Sequence, residues 1–115
     1  NRVVLNTDPT AHAEILAIRE AAHLLKTHDL DGCILYTSCE PCPMCLGAIY
    51  WSGIKRVIYA SGRHDAAASG FDDEFIYNEI SLDPSMRKVT FIHMDDHEAK
   101  EVFRKWDEYD GKTAY

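Results

Sequence analysis

The feature that most constrains this chain is a pair of short motifs that combine one histidine with closely spaced cysteines. The motifs are His12-Ala13-Glu14 and Pro41-Cys42-Pro43-Met44-Cys45. Catalytic zinc sites take about three protein ligands from histidine, cysteine and carboxylate side chains and keep one position for water. His12, Cys42 and Cys45 supply that number and type of ligand, so the two motifs together predict a zinc site.

Both motifs are predicted to lie at helix starts. Apolar residues recur at helical spacing from about Ala11 to Thr27,. Pro43 suits the first position of a second helix, which we expect to run to about Trp51, because that position needs no backbone N–H donor. The partial positive charge of a helix N-terminus favours the thiolate form of Cys42 and Cys45, which ligates metals.

Glu14 is predicted to carry protons rather than to bind the metal. It lies two residues after His12, so the two side chains diverge on a helix. Zinc lowers the pKa of its bound water to roughly 7, and a neighbouring carboxylate can then act as general acid and base. We therefore predict His12, Cys42 and Cys45 as zinc ligands and Glu14 as the catalytic residue.

Cys39 leaves another class of function open. As a fourth protein ligand it would complete a structural zinc site, and the chain would then be a non-catalytic zinc-binding module. The run Cys39, Cys42, Cys45 also resembles part of an iron–sulfur motif, but Ile49 stands where that motif needs a further cysteine,. Cys33 lies in a predicted strand and is interpreted as a buried thiol.

The remaining pattern predicts a layered α/β domain with helices packed on a sheet. Strands are predicted over Cys33–Thr37 and Arg56–Ala60, and with the helix between them they form a parallel β-α-β unit,. The later elements, in order, are a loop over Ser61–Gly70, a short helix within Phe71–Ile80, a strand over Val89–Met94 and a helix over Asp96–Tyr109. At 115 residues, we expect a single domain over residues 1–115,.

Charge and cysteine spacing limit the class of partner and the compartment. The 12 basic and 19 acidic residues give a net charge of −7. Because nucleic-acid binding rests largely on Lys and Arg, a small-molecule ligand is favoured over nucleic acid. The chain contains no apolar run of about 18 residues, so no membrane span is expected. Cysteines spaced for a metal favour the reducing cytoplasm.

Two segments resemble the cytidine/deoxycytidylate deaminase superfamily, whose zinc enzymes carry H-x-E and P-C-x-x-C. They are Asp8–Glu14 and Thr37–Trp51. Within the superfamily the chain resembles bacterial guanine deaminases, through Ala48–Trp51, Asp65–Ala67, Gly70–Tyr77 and the terminal Tyr115. The resemblance implies a three-layer α/β/α cytidine deaminase-like fold, here without the family's N-terminal helix and strand hairpin. The chain opens at Asn1 rather than methionine, so we expect it to be the C-terminal part of a longer natural chain.

The resemblance also implies an activity and a set of substrate contacts. The activity is zinc-dependent hydrolytic deamination of guanine to xanthine and ammonia. The residues that it places against the purine base are Asn1, Trp51, Asp73 and Tyr115. Tyr115 would reach a neighbouring subunit, which implies a homodimer with exchanged C-terminal segments. Deamination of adenosine in tRNA, or of cytosine, remains open within the same superfamily, and Asp73 could instead only charge a helix N-terminus.

Overall fold

The computed structural model describes residues 1–113 as two compact units, the first over Asn1–Ile80 and the second beginning at Ser81. The helices and strands, in chain order, are α1 Val3–Asn6, α2 Ala13–Leu25, β1 Ile34–Cys39, α3 Pro43–Trp51, β2 Arg56–Ser61, α4 Arg63–Ala68, α5 Glu74–Ser81 and α6 His97–Glu108. A 3-10 turn covers Pro84–Met86. None of the helices in residues 1–113 has the length and apolar character needed to cross a membrane.

The predicted parallel β-α-β unit is present and forms the centre of the first unit. Strands β1 and β2 pair in parallel, with Leu35 opposite Val57 and Thr37 opposite Tyr59. Helix α3 connects the two strands and contacts α2. Its start at Pro43 agrees with the prediction, because proline at the first helical position loses no hydrogen bond there,.

The hydrophobic core lies between this sheet and helices α2 and α3. Its four buried members come from β1, α3 and the two loops that flank them: Leu30, Leu35, Ile49 and Ile54. Half-buried side chains of α2, including Ile18 and Ala22, pack against these residues. Cys33, interpreted from the sequence as a buried thiol, is half-buried and packs against the same core.

Strand β1 presents alternate side chains to the core and to solvent, as a half-buried strand does. Leu35 is buried and Thr37 and Cys39 are partly buried, whereas Ile34 and Tyr36 are exposed. Leu35, Thr37 and Cys39 therefore lie on the face that α2 and α3 cover. This alternation brings Thr37 next to the beginning of α2.

The loop prediction for residues 61–70 is wrong, since that segment contains helix α4. The Asp65 carboxylate accepts a hydrogen bond from the Gly62 backbone N–H at 2.9 Å, which satisfies one donor at the helix start,. The alanines that follow have the highest helix propensity of any residue. Six residues are too few for the helical period to be visible in the sequence.

The strand prediction for residues 89–94 is also wrong, since no strand occurs there in the described part of the chain. Its apolar side chains are exposed, with Val89 at 67%, Ile92 at 83% and Met94 at 77%. A strand forms only when its backbone groups pair with another strand, and within residues 1–113 the sheet consists of β1 and β2, without this segment,. The composition of the segment was typical of a strand, but composition does not supply a partner.

Candidate metal centre

The three predicted ligands converge because each stands at the start of a helix. His12 precedes the first residue of α2 and Cys42 precedes the first residue of α3, both with extended backbone. Neither side chain caps its own helix, so each is free to turn toward the other motif. Cys45 lies in the first turn of α3 and is fully buried.

The distances between the donor atoms fit a zinc ion. His12 Nδ1 lies 3.5 Å from Cys42 Sγ and 3.6 Å from Cys45 Sγ, and all three atoms lie within 4.8 Å of one another. Zinc–sulfur bonds of about 2.3 Å and zinc–nitrogen bonds of about 2.1 Å at a tetrahedral angle separate the two donors by roughly 3.6 Å. The described residues therefore hold a nitrogen and two sulfurs at the spacing that one tetrahedral ion requires.

The electrostatics of the two cysteines favour metal binding. The contact between the two sulfurs, together with the backbone N–H groups at the start of α3 and the nearby His12, lowers the pKa of Cys42 to about 6. The pKa of Cys45 is raised, first by the same contact with Cys42 and next by burial. The lowered pKa of Cys42 favours its thiolate form, which is the form that binds a cation,.

Glu14 lies beside the donor cluster without belonging to it. Its two carboxylate oxygens have different partners: Oε1 accepts a hydrogen bond from Thr37 Oγ1 at 3.2 Å, and Oε2 accepts one from Cys45 Sγ at 3.6 Å. A carboxylate in this position can exchange a proton with a water molecule at the metal site. Thr37 is not among the catalytic, metal-binding or substrate-binding residues that the sequence predicts.

Cys39 does not join the cluster. Its sulfur lies 3.9 Å from the carbonyl oxygen of Gly62, to which the thiol donates a hydrogen bond. Among residues 1–113, the group of side chains positioned to hold a metal consists of His12, Cys42 and Cys45. A structural site with Cys39 as fourth ligand is therefore disfavoured.

A cavity of about 530 Å³ opens beside these residues. Its lining includes His12, Glu14 and Cys42 together with two of the predicted substrate contacts, Asn1 and Asp73. Ligand pockets commonly have volumes of roughly 300–1,000 Å³, so a purine base can be accommodated. Asn1 Oδ1 also accepts a hydrogen bond from the Val3 N–H at 3.0 Å.

The other two predicted substrate contacts are not brought to this cavity. Trp51 ends helix α3, whereas Cys42 precedes its start, and the Trp51 side chain is 70% exposed. Trp51 does not line the cavity. Tyr115 lies outside the residues that the structure describes.

A second group of side chains, also missed from the sequence, ties the cysteine turn to helices α4 and α5. The Glu40 carboxylate accepts a hydrogen bond from the Arg63 N–H at 3.1 Å, and the Tyr77 hydroxyl donates one to the Pro41 carbonyl at 3.1 Å. The Arg63 guanidinium lies 5.2 Å from the centre of the Tyr77 ring. The pKa of Tyr77 is raised, mainly by burial and then by the negative charge of Asp73. These partners lie 23 and 36 positions apart, so no local spacing reveals them.

Comparison with known proteins places this geometry among the deaminases. The family profile described as the cytidine and deoxycytidylate deaminase zinc-binding region matches residues 1–61. The guanine deaminase of Bacillus subtilis is 50% identical over 115 residues, which is 100% of this chain and 74% of that protein. A tRNA-specific adenosine deaminase of Buchnera aphidicola is 34% identical over 100 residues, covering 87% of this chain and 56% of that protein.

Solved structures give a similar result. The crystal structure of the Bacillus subtilis guanine deaminase superposes with a TM-score of 0.96 at 50% identity, covering 100% of this chain and 73% of that one. A guanine deaminase from Nitrosomonas europaea superposes with a TM-score of 0.60 at 47% identity, covering 64% of this chain and 43% of that one. The match to the Bacillus structure extends over both of the units described above.

Proposed function

This chain belongs to the cytidine and deoxycytidylate deaminase family, and we propose that it catalyses the hydrolytic deamination of guanine to xanthine and ammonia. The predicted family, the cytidine deaminase-like α/β fold and the zinc cofactor are confirmed. Guanine is the substrate that the comparisons support, because the Bacillus guanine deaminase matches the entire chain at 50% identity.

The observation that carries the proposal is the position of Glu14. Three metal donors converge at one point, and a carboxylate that is not a donor lies beside them at the edge of a cavity. A structural zinc site uses four protein ligands and needs no neighbouring acid. The arrangement is instead typical of a catalytic metal site that keeps one position for water.

The chain's residues divide the reaction into binding the metal and moving protons. When bound to His12, Cys42 and Cys45, zinc lowers the pKa of a water molecule to roughly 7 and so supplies a nucleophile at neutral pH. Glu14 takes the proton of the attacking water and returns protons to the purine ring nitrogen and the leaving amino group. The water oxygen bonds to carbon C2, the bond from C2 to the amino nitrogen breaks, and ammonia leaves.

The substrate contacts form the next part of the proposal. Asn1 and Asp73 line the cavity with an amide and a carboxylate, groups that can hydrogen-bond to the edges of a purine,. Asp73 is assigned to read the purine and Asn1 to hold the base. Trp51 and Tyr115 keep their proposed roles as contacts that a second subunit helps to assemble.

A homodimer with exchanged C-terminal segments is therefore included in the proposal, with residues 1–115 acting as one deaminase domain. Its support is the surface of helix α6, where Val102 is 65% exposed, Phe103 is 73% exposed and Trp106 is 45% exposed. Contiguous apolar surface of this kind marks interaction sites. We assign the enzyme to purine catabolism in the cytoplasm.

Deamination of adenosine in tRNA is the second candidate, because tRNA-specific adenosine deaminases are among the relatives of this chain. The net charge of −7 argues against a polyanionic substrate,. The test is ammonia release from guanine, adenine and cytosine, together with inosine formation in tRNA, using the Glu14→Gln variant as the inactive control. Guanine should be consumed; modification of tRNA with guanine left intact would overturn the proposal.

A further inference from the structure

We propose that Thr37 is a positioning residue, whose hydroxyl holds the Glu14 carboxylate in the orientation that proton transfer requires. The inference rests on the proposed function, since Glu14 is the proton carrier in that reaction. It concerns a residue that neither motif contains. The contact joins strand β1 to the first turn of helix α2.

Thr37 is the contact of Glu14 that is not itself a proposed metal donor. Among the described residues, the carboxylate is held by Thr37 Oγ1 at 3.2 Å and by the Cys45 thiol at 3.6 Å. Cys45 belongs to the donor cluster, so its sulfur would be committed to the metal. Thr37 then provides the remaining donor, and the terminal torsion of a glutamate side chain is otherwise broad.

The position of Thr37 restricts the motion of both its backbone and its side chain. It stands in a strand whose backbone pairs with β2, opposite Tyr59, and its side chain is partly buried on the face toward α2. Threonine is branched at Cβ, which restricts its side-chain torsion. A hydrogen bond donated from such a residue holds Glu14 more firmly than one from a loop.

The hydroxyl of Thr37 lies between two acceptors. Thr37 Oγ1 is 3.2 Å from Glu14 Oε1 and 3.0 Å from the Cys39 carbonyl oxygen. The Cys39 carbonyl belongs to the same strand, so the hydroxyl lies between the backbone of β1 and the side chain of Glu14.

The test compares variants that differ in the hydroxyl. Thr37→Val removes the hydroxyl at nearly constant shape, and Thr37→Ser retains it. Thr27→Val is a matched control, because within residues 1–113 the Thr27 hydroxyl bonds to the backbone of Asp29 alone. For the zinc-loaded enzyme acting on guanine, Thr37→Val should lower kcat by roughly 10–100-fold, the usual effect of losing a supporting hydrogen bond at a metal site. The KM of Thr37→Val should stay within about twofold of wild type, and its zinc content should stay at one ion per chain. Thr37→Ser and Thr27→Val should keep kcat within about threefold of wild type.

Crystal structures of the zinc-loaded variants supply a readout that does not depend on activity. Glu14 should take one orientation in the wild type and in Thr37→Ser, and a different or a mixed orientation in Thr37→Val. The inference would be overturned if Thr37→Val kept both the kcat and the Glu14 side-chain orientation of the wild type. Loss of zinc from that variant would also overturn it. If Thr37→Val does not fold, Thr37→Ala tests the same loss of the hydroxyl. A wild-type enzyme that leaves guanine intact would count against the proposed function, and the orientation of Glu14 would still decide the role of Thr37.

Discussion

Replacing Glu14 with glutamine should remove proton transfer while leaving the metal site and the fold in place. Glutamine has the shape of glutamate, and its carbonyl oxygen can still accept the hydrogen bond that Thr37 donates to Oε1 at 3.2 Å. The proposed metal donors are His12, Cys42 and Cys45, so no ligand is lost. The free energy of unfolding should change by no more than about 1 kcal/mol, the net value of one hydrogen bond.

The effect on turnover should be far larger than the effect on stability. General acid–base help contributes roughly 10²–10⁴-fold to a rate, which corresponds to about 3–5 kcal/mol of activation free energy. We therefore expect kcat for ammonia release from guanine to fall by that factor in Glu14→Gln, with one zinc ion still bound per chain. Steady-state ammonia assays and elemental analysis on the same preparation measure both quantities.

Two outcomes would refute this reasoning about Glu14. If the variant keeps its zinc and its kcat falls less than about tenfold, Glu14 is not the proton carrier. If zinc and activity are lost together, Glu14 acts as a ligand rather than as an acid and base. Thermal unfolding of the metal-free proteins separates either outcome from a general loss of structure.

Three further predictions follow from the contacts around the site and in the core. Cys39→Ser should retain zinc, because that sulfur lies outside the donor cluster, whereas Cys45→Ser should lose it. Elemental analysis after dialysis measures the bound zinc. Loss of zinc from both variants would favour a structural site. Ile49→Ala should lower the free energy of unfolding by about 2–5 kcal/mol, because it leaves a cavity in the core of the first unit,. A loss of less than about 1 kcal/mol in denaturant unfolding would show that the core is loosely packed. Tyr77→Phe should cost about 1 kcal/mol, because it removes the hydrogen bond to the Pro41 carbonyl; unchanged unfolding would mean that this bond contributes nothing,.

The parts of the fold that the sequence predicted are those determined by local chemistry. Helix α3 begins at Pro43 and ends at Trp51, as expected, because proline has a defined place at a helix start,. Spacing along the chain likewise places a histidine and two cysteines at helix starts. That these donors meet across 30 positions is a property of the fold, which the ligand count of a catalytic zinc site leads us to expect,.

The parts that were missed or wrong depend on contacts between distant residues. Thr37 meets Glu14 across 23 positions, and Tyr77 meets Pro41 across 36. The strand predicted over residues 89–94 had the right composition, but strand formation depends on pairing with a neighbour more than on intrinsic preference. The resemblance places Trp51 at the pocket. Within one chain, however, the nine residues of α3 separate it from the metal end by about 13 Å,.

The central claim is that one zinc ion is held by a single nitrogen and two sulfurs, with its fourth position available to water. X-ray absorption spectroscopy at the zinc edge of the purified, zinc-loaded protein measures this most directly. The structure predicts two sulfur neighbours at about 2.3 Å and two lighter neighbours at about 2.0–2.1 Å, one from imidazole and one from water. Three or more sulfur neighbours, or a second imidazole in place of the water, would contradict the claim and the deaminase mechanism built on it.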